Sequence, residues 1–524
     1  MEAWFIIVAS LSIAALVKAV FDLSGKRKGT GKGLPPGPAS VPVVGRLLWL
    51  IKPLPELESI LSTLRSKFGP IVTLRFGSRI SIFIFKRSLA HQALVQNGAV
   101  FASRPKAPPT TKILSSNQHN INSSAYGPTW RLLRRNITSE ILHPSRVKSY
   151  SHARRWVLDI LLNRLVLDSQ SHTAAPAAVK VIDHFRYAMF CLLALMCFGD
   201  KLDENQIRQI ETVHRGLLLS LRRFQVLNFW PQLTKILLRR RWLELFNMRK
   251  DQEEVIIPLI RARKQAKMNH HQTEKKDDTR VVSYVDTLLE LELEEEEDDG
   301  IGKKKRNLTE KEMVSICSEF MNAGTDTTST ALQWIMANLV KYPDIQAKLF
   351  QEIRSAIGEE AEEVGEEDLA KMPYLKAVIL EGLRRHPPGH FVLPHAVTRD
   401  VEIEGYTVPK DAIVNFMVAE LGWDAEMWED PMGFKPERFL NEGGEEFDIT
   451  GTREIKMMPF GVGRRMCPGS GLALLHLEYF VANLILKFQW TVVNGGDVDL
   501  SEKQEFTVVM KNPLRAQISP RPAK

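Results

Sequence analysis

Cysteine is scarce in this chain: 4 in 524 residues, at positions 191, 197, 317 and 467. At this length that excludes a disulfide framework, and no C-x-x-C pair suggests a zinc knuckle. Cys191 and Cys197 sit in the apolar run from Phe190 to Phe198, where an inert buried thiol is expected. The bulk of the protein should therefore face a reducing compartment. Phosphate-binding motifs are missing too. Gly29-Thr30-Gly31-Lys32-Gly33 lacks the G-x-x-x-x-G-K-[ST] spacing, and Gly461 and Gly463 lack the third glycine of a dinucleotide fingerprint. His270 and His271 have no acidic or histidine partner at metal-ligand spacing. Neither nucleotide nor flavin binding is expected. The formal charge is +8, yet no stripe interleaves aromatic with basic residues, so nucleic acid is excluded as a partner. An anionic membrane or an acidic protein suits that charge better. No internal repeat is evident.

A hydrophobic content of 44% with 25% charged residues indicates a globular protein with a large core. The N-terminus is apolar from Ala3 to Val17, and Lys26, Arg27, Lys28 and Lys32 follow it. Positive charge after the run favours an uncleaved signal anchor, with the bulk cytosolic, over a signal peptide cut near Val17-Lys18-Ala19. Residues 1–22 are thus expected to be a single transmembrane helix. Residues 23–45 read as a basic, proline-rich linker around Leu34-Pro35-Pro36-Gly37-Pro38, and residues 46–524 as one large domain.

Ile71 to Phe76 and Arg79 to Phe85, separated by Gly77-Ser78, read as a β-hairpin. From about residue 125 most segments carry helical periodicity. Phe229-Trp230-Pro231, beside Arg222, Arg223 and Arg239 to Arg241, suits either a second membrane contact or an internal packing loop. The polar stretches Lys264 to Arg280 and Glu294 to Arg306 read as solvated, mobile loops. Thr309-x-x-Glu312 reads as a capping box that opens a long helix.

The most informative stretch is Phe460-Gly461-Val462-Gly463-Arg464-Arg465-Met466-Cys467-Pro468-Gly469. Such a loop can present one thiolate, that of Cys467, as the axial ligand of a haem iron. Gly463 and Gly469 let the backbone turn and approach a flat macrocycle. Arg465 supplies a cation for a haem propionate. The helix starting near Ser470 aims its positive end at the sulfur, which favours the thiolate. The bland alternative is a buried cysteine in an ordinary loop. The ten residues from Phe460 match F-x-x-G-x-R-x-C-x-G, and the chain thereby resembles the cytochrome P-450 (haem-thiolate monooxygenase) family.

Further motifs match this resemblance. Ala323-Gly324-Thr325-Asp326-Thr327-Thr328 places poor helix formers in mid-helix, about 140 residues before Cys467. Alone it would suit a kinked core helix, but it also matches the family's [AG]-G-x-[DE]-T. Small residues at 323 and 324 would let the helix cross a haem face and leave room for dioxygen. Thr327 could tie up a backbone carbonyl and hydrogen-bond the oxygen, and Asp326 could relay protons. Glu381-Gly382-Leu383-Arg384 is either a solvated pair or, given its apolar flanks, a buried one. With Arg438 of Pro436-Glu437-Arg438-Phe439 it matches the family's structural clamp behind the haem. Trp130 and Arg134 match W-x-x-x-R and would share one haem propionate. His395 stands where many relatives keep another propionate donor, an ordinary surface histidine being the alternative.

The resemblance spans nearly the whole chain and is nearest to the microsomal plant members, in particular the plant eighty-nine-A subfamily. It implies a mainly α fold, with a large helical domain and a smaller β-rich lobe, and haem b held by Cys467 with Trp130, Arg134, His395, Phe460, Gly463, Arg465 and Gly469 around it. It also implies O2 activation with electrons from an NADPH-dependent flavoprotein reductase, at the endoplasmic reticulum membrane with the catalytic domain cytosolic. The substrate would be small and largely apolar, against Phe391, Val392, Leu393 and Val509. Two other readings stay open: a hydroperoxide-rearranging isomerase or dehydratase, and a non-catalytic membrane haem-binding protein. Asp326-Thr327 argues against both.

Overall fold

The computed structural model describes Ser12 and residues 33–38, 54–76, 79–170, 178–272, 281–296, 303–440 and 447–521. The expected anchor, apart from Ser12, and most of the linker lie outside these residues. Within the linker, Pro36 accepts the Thr73 N–H at 2.8 Å through its carbonyl. At Gly37 a side chain is impossible, because a Cβ would fall 1.9 Å from the Thr73 carbonyl oxygen.

The principal helices are α1 (Leu54–Phe68), α2 (Pro128–Asn136), α3 (Ser151–Gln170), α4 (Val181–Phe198), α5 (Glu204–Phe224), α6 (Pro231–Leu237), α7 (Arg239–Gln272), α8 (Glu310–Lys341), α9 (Pro343–Ile357), α10 (Pro373–Arg385) and α11 (Ser470–Lys487). The main strands are β1 (Ile71–Phe76), β2 (Arg79–Ile84), β3 (Glu292–Glu296), β4 (Lys303–Asn307), β5 (His395–Ala396), β6 (Ile413–Phe416), β7 (Phe488–Thr491), β8 (Glu502–Gln504), β9 (Val508–Met510) and β10 (Arg515–Pro520).

The helices enclose one large core. α4 is apolar all round and almost wholly buried, which marks it as a central core helix although it is long enough to span a membrane. It packs on α8, where Gly324 permits close approach: a Cβ there would lie 2.2 Å from Leu193 Cδ1. A second, smaller core lies against the four-stranded sheet β1-β2-β6-β5. The expected hairpin pairs Ile71 with Ile84 through Phe76 with Arg79, and its two linking residues lie outside the described set. β2 then runs parallel to β6, and β6 antiparallel to β5. Four smaller sheets accompany it among the described residues: β7-β10 extended by Val179–Lys180, the hairpin β8-β9, the hairpin Val401–Ile403 with Tyr406–Val408, and the pair β3-β4.

The capping box forms as expected. Thr309 Oγ1 accepts the Glu312 N–H at 3.3 Å, and Glu312 accepts the Thr309 N–H at 2.8 Å. Both polar stretches, however, carry regular structure. α7 continues through residues 264–272, and 273–280 lie outside the described set. Residues 292–296 and 303–307 form the antiparallel pair β3-β4, with Glu294 opposite Lys305. An acidic and a basic block of similar length place unlike charges across the ladder, and that favours strands over a loop.

Candidate functional site

The cysteine loop is held by its own backbone. Cys467 N–H donates to the Phe460 carbonyl at 2.8 Å, and Gly461 N–H to that of Met458 at 3.0 Å. Gly461 and Gly463 have φ of 68° and 75°, a region open to glycine. At Gly463 a Cβ would also fall 2.2 Å from the Leu94 carbonyl oxygen, so only glycine fits. α11 starts directly after Gly469, whose N–H donates to the Cys467 sulfur. The other three cysteines are buried, and Cys467 is partly accessible. Burial pushes the Cys467 thiol up, against the pull of the Gly469 N–H and the Arg134 guanidinium. The helix end and Arg134 thus pull toward the thiolate, and burial pulls against it.

α2 brings the next two residues to the same place. Trp130 Nε1 is buried without a hydrogen-bond partner among the described residues. Arg134, desolvated and acting on Cys467, has no hydrogen-bond or ion-pair partner there either. A buried donor and an unpaired guanidinium one turn apart require an anion. Arg465 stacks over the Trp130 ring with its guanidinium carbon 4.4 Å from the centroid. Its three nitrogens donate to the carbonyls of Ala102, Ile121 and Ser124 at 2.6, 3.0 and 2.6 Å, leaving one N–H on each Nη for another acceptor. Burial, helped by Arg104 and Arg134, lowers its pKa to about 9. Among the described residues no cluster of His, Cys, Asp or Glu could hold a metal by itself. A lone thiolate beside unpaired cationic donors fits an iron whose other bonds come from a macrocycle bearing carboxylates.

His395 is buried, not superficial. Its Nδ1 donates to the Phe101 carbonyl at 2.6 Å, and burial lowers its pKa to about 3. Arg104 and Arg465 add to that lowering, so the ring stands near the same Arg465 that covers Trp130.

Along the middle of α8, accessible surface survives at Glu319, Asn322, Ala323, Gly324 and Thr327, whereas residues 328–340 are all buried. Positions 319, 323 and 327 share one face. Thr327 Oγ1 donates to the Ala323 carbonyl at 2.5 Å. Gly324 packs against Leu193, whose Cδ1 a Cβ there would meet at 2.2 Å. Asp326 points elsewhere: its Oδ1 accepts Arg215 Nη1 at 3.0 Å, Arg186 Nε lies 3.7 Å from it, and Oδ2 accepts the Thr507 hydroxyl at 3.0 Å. Sequence reading missed these partners.

The pair Glu381–Arg384 is fully buried and doubly hydrogen-bonded, at 2.7 and 2.8 Å. Arg438 Nε reaches Glu381 at 3.2 Å, and Arg384 Nη1 donates to the carbonyls of Gly422 and Pro431. A buried ion pair survives only with such satisfaction, and this one locks α10 to the chain before the cysteine loop. Of the expected pocket wall, Val392 lies against the loop, 3.6 Å from where a Gly461 Cβ would stand. Val509 is buried in β9, and Leu393 is 51% exposed. Phe391 sits edge-on to Phe83, ring centroids 6.5 Å apart, as part of the β-lobe core.

Residues 35–520 match the family described as Cytochrome P450. The chain is 52% identical over 523 residues to Cytochrome P450 89A9 of Arabidopsis thaliana, covering 99% of this chain and 98% of that protein. It is 31% identical to isoflavone 2'-hydroxylase of Glycyrrhiza echinata, over 94% of this chain and 93% of the relative. Its fold resembles that of a zebra fish cytochrome P450 solved with abiraterone, with TM-score 0.67 and 22% identity, covering 89% of this chain and 100% of the other.

Proposed function

The chain belongs to the cytochrome P-450 family and groups with its plant eighty-nine-A members, and from that premise we propose which of its residues carry the chemistry, where it works and what supplies it. Family membership makes it a monooxygenase that binds haem through a cysteine thiolate. The observation that carries the assignment to Cys467 is the convergence of its loop with the unpartnered Trp130 Nε1 and the unpaired Arg134. When bound, the haem supplies reductive activation of O2 and transfer of one oxygen atom to the substrate.

The protein's own residues do the rest. Cys467 ligates through Sγ, steadied by the Gly469 N–H. Trp130 and Arg134 hold a propionate, with the spare N–H groups of Arg465 in reach of the same edge. Phe460, Gly463 and Gly469 would shape the loop that presents Cys467 to the haem. Glu381, Arg384 and Arg438 keep the segment behind it rigid. Thr327, on the accessible face of α8, would hold a hydroxyl proton available for O2 reduction, and Asp326 would supply protons once released from its arginines. Val392, Leu393 and Val509 bound a largely apolar substrate space.

Electrons come from an NADPH-dependent flavoprotein reductase, because no nucleotide or flavin motif is present. Residues 1–22 form the anchor, 23–45 the linker and 46–524 the haem domain, on the cytosolic side of the endoplasmic reticulum. α6 supports this placement: Trp230, Leu233, Ile236 and Leu237 are 59, 46, 76 and 58% exposed, beside Lys235 and Arg239. The isoflavone hydroxylase names of three relatives favour hydroxylation of a plant specialised metabolite. The test is the reduced carbon monoxide complex. Wild-type protein should show the red-shifted Soret band of thiolate ligation and Cys467→His should not. Retention of the band in the variant would overturn the assignment. A spectral binding screen of plant phenolics, lipids and tetrapyrroles would identify the substrate class.

A further inference from the structure

Residues 115–126 lead into α2, and three successive non-glycine residues there, Ser116, Asn117 and Gln118, are left-handed, with φ of 46°, 63° and 68°. Such backbone persists only where surrounding contacts over-determine it. Arg249 of α7 reaches Ser116 Oγ at 3.2 Å, and one stripe of α8, at positions i, i+3 and i+7, braces the loop along its length. Glu312 Oε1 lies 2.5 Å from His119 Nδ1, and Ser315 Oγ 2.8 Å from Ser116 Oγ. Glu319 accepts two successive backbone amides, Ile121 N–H at 2.8 Å and Asn122 N–H at 2.6 Å.

The same loop faces the cysteine side with its carbonyls. Ile121 and Ser124 receive Arg465, two residues before Cys467. Asn122 receives Arg104 Nε at 2.8 Å, and Arg104 Nη1 donates on to Leu393 and Pro394 at 2.7 and 3.0 Å. A peptide whose N–H groups are fixed on one side presents its carbonyls on the other. One carboxylate on α8 is thus coupled to Arg465 at the cysteine loop through the single peptide unit of Ile121 C=O and Asn122 N–H, and the carbonyl of the adjoining unit, that of Asn122, takes Arg104, which reaches the 393–394 wall.

We propose that Glu319 is a positioning residue for the monooxygenase reaction: its grip on the Ile121 and Asn122 amides holds the 116–124 loop against α8 and sets the place of Arg465. It acts through the loop, without touching substrate or sulfur. The role rests on the haem-thiolate reading for its function but on the loop geometry for its structure.

Full-length wild type, Glu319→Gln and Glu319→Ala provide the test. Glutamine keeps the size and one acceptor; alanine keeps neither. Hydrogen exchange should quicken in peptides covering 119–124, by about tenfold or more in the alanine variant and less in the glutamine variant. Peptides from α3 and α11 should not change. Phenylimidazole, added as a probe, should reach the iron faster in both variants, while the carbon monoxide band stays as in wild type. Unchanged exchange at 119–124 with an intact band would overturn the proposal. So would faster exchange across the whole chain, which marks general destabilisation. If the wild type itself lacks the band, the haem-thiolate reading fails independently of what the loop does.

Discussion

Asp326 is held by Arg215, with Oδ1 to Nη1 at 3.0 Å, so the acid next to Thr327 is tied to α5 and not turned toward the face that Thr327 occupies. Arg186 from α4 and Thr507 from the β8-β9 turn complete the grip, and Arg215 Nη2 lies 3.6 Å from Glu505. Three elements thus meet on one carboxylate. Removing it takes from Arg215 and the buried Arg186 their shared carboxylate and leaves them Glu505 and Asp183 at 3.6 and 3.9 Å. Asp326→Asn should therefore cost stability, on the order of 3 kcal/mol, as well as slowing turnover. Arg215→Met should cost less, and the double variant less than the sum of the two. Chemical unfolding of all four proteins checks this. Simple additivity would mean that the pair carries no coupling.

Thr327 separates a structural helix from a working one. Its hydroxyl bonds the Ala323 carbonyl, and losing that bond should cost about 1 kcal/mol. If the hydroxyl also delivers a proton, Thr327→Ala should keep haem and NADPH consumption with reductase. Oxygen would leave as peroxide, and product per NADPH would fall sharply. Peroxide and product, measured together with any accepted substrate, decide it. Unchanged coupling would remove Thr327 from the mechanism.

What the sequence revealed was what depends on near neighbours. The cysteine loop is legible because φ at Gly461 and Gly463 is fixed by residues within the motif. The Thr309–Glu312 box is legible because both partners lie in one turn. Asp326 was legible as a poor helix former, but its partners Arg215 and Thr507 are 111 and 181 residues away and carry no local signal. Glu319 was invisible for the same reason, since its role depends on amides 198 and 197 residues back. The charged blocks around Glu294 and Lys305 misled because each alone resembles a solvated run, and only their pairing makes strands.

Four buried histidines should make the fold sensitive to acid. Burial lowers the pKa of His214 and His386 to about 4, and of His395 and His476 to about 3. Unfolded, each would titrate near 6.5. Below that value the unfolded chain binds more protons than the native one, so stability falls as pH drops from about 6.5 toward 4. Each histidine contributes roughly 1.4 kcal/mol per pH unit within that window. His476→Leu should flatten the decline by about one histidine's share. Denaturant midpoints at pH 7.5 and 5.5 for both proteins measure it, and an equal decline in the two would show that His476 does not stay neutral in the native state.

Membrane attachment should have two separable parts. Removing residues 1–33 takes away the apolar run and the basic cluster after it, and should release much of the protein from microsomal membranes while leaving a haem-binding domain. The remainder should depend on α6, where Ile236 alone is 76% exposed and Trp230 and Leu237 stand beside it. Each side chain buried in lipid is worth about 1.5–3 kcal/mol, so two of them suffice for measurable partitioning. Trp230→Ser with Ile236→Ser in the shortened protein should leave it in the soluble fraction. The same pair in the full-length protein should change little, because the anchor dominates. Flotation of all four forms with anionic vesicles checks both arms. If the shortened protein with an intact α6 does not bind, α6 is a surface helix without a membrane role. A full-length chain found shortened near Ala19 in its native host would replace the anchor with a cleaved signal peptide.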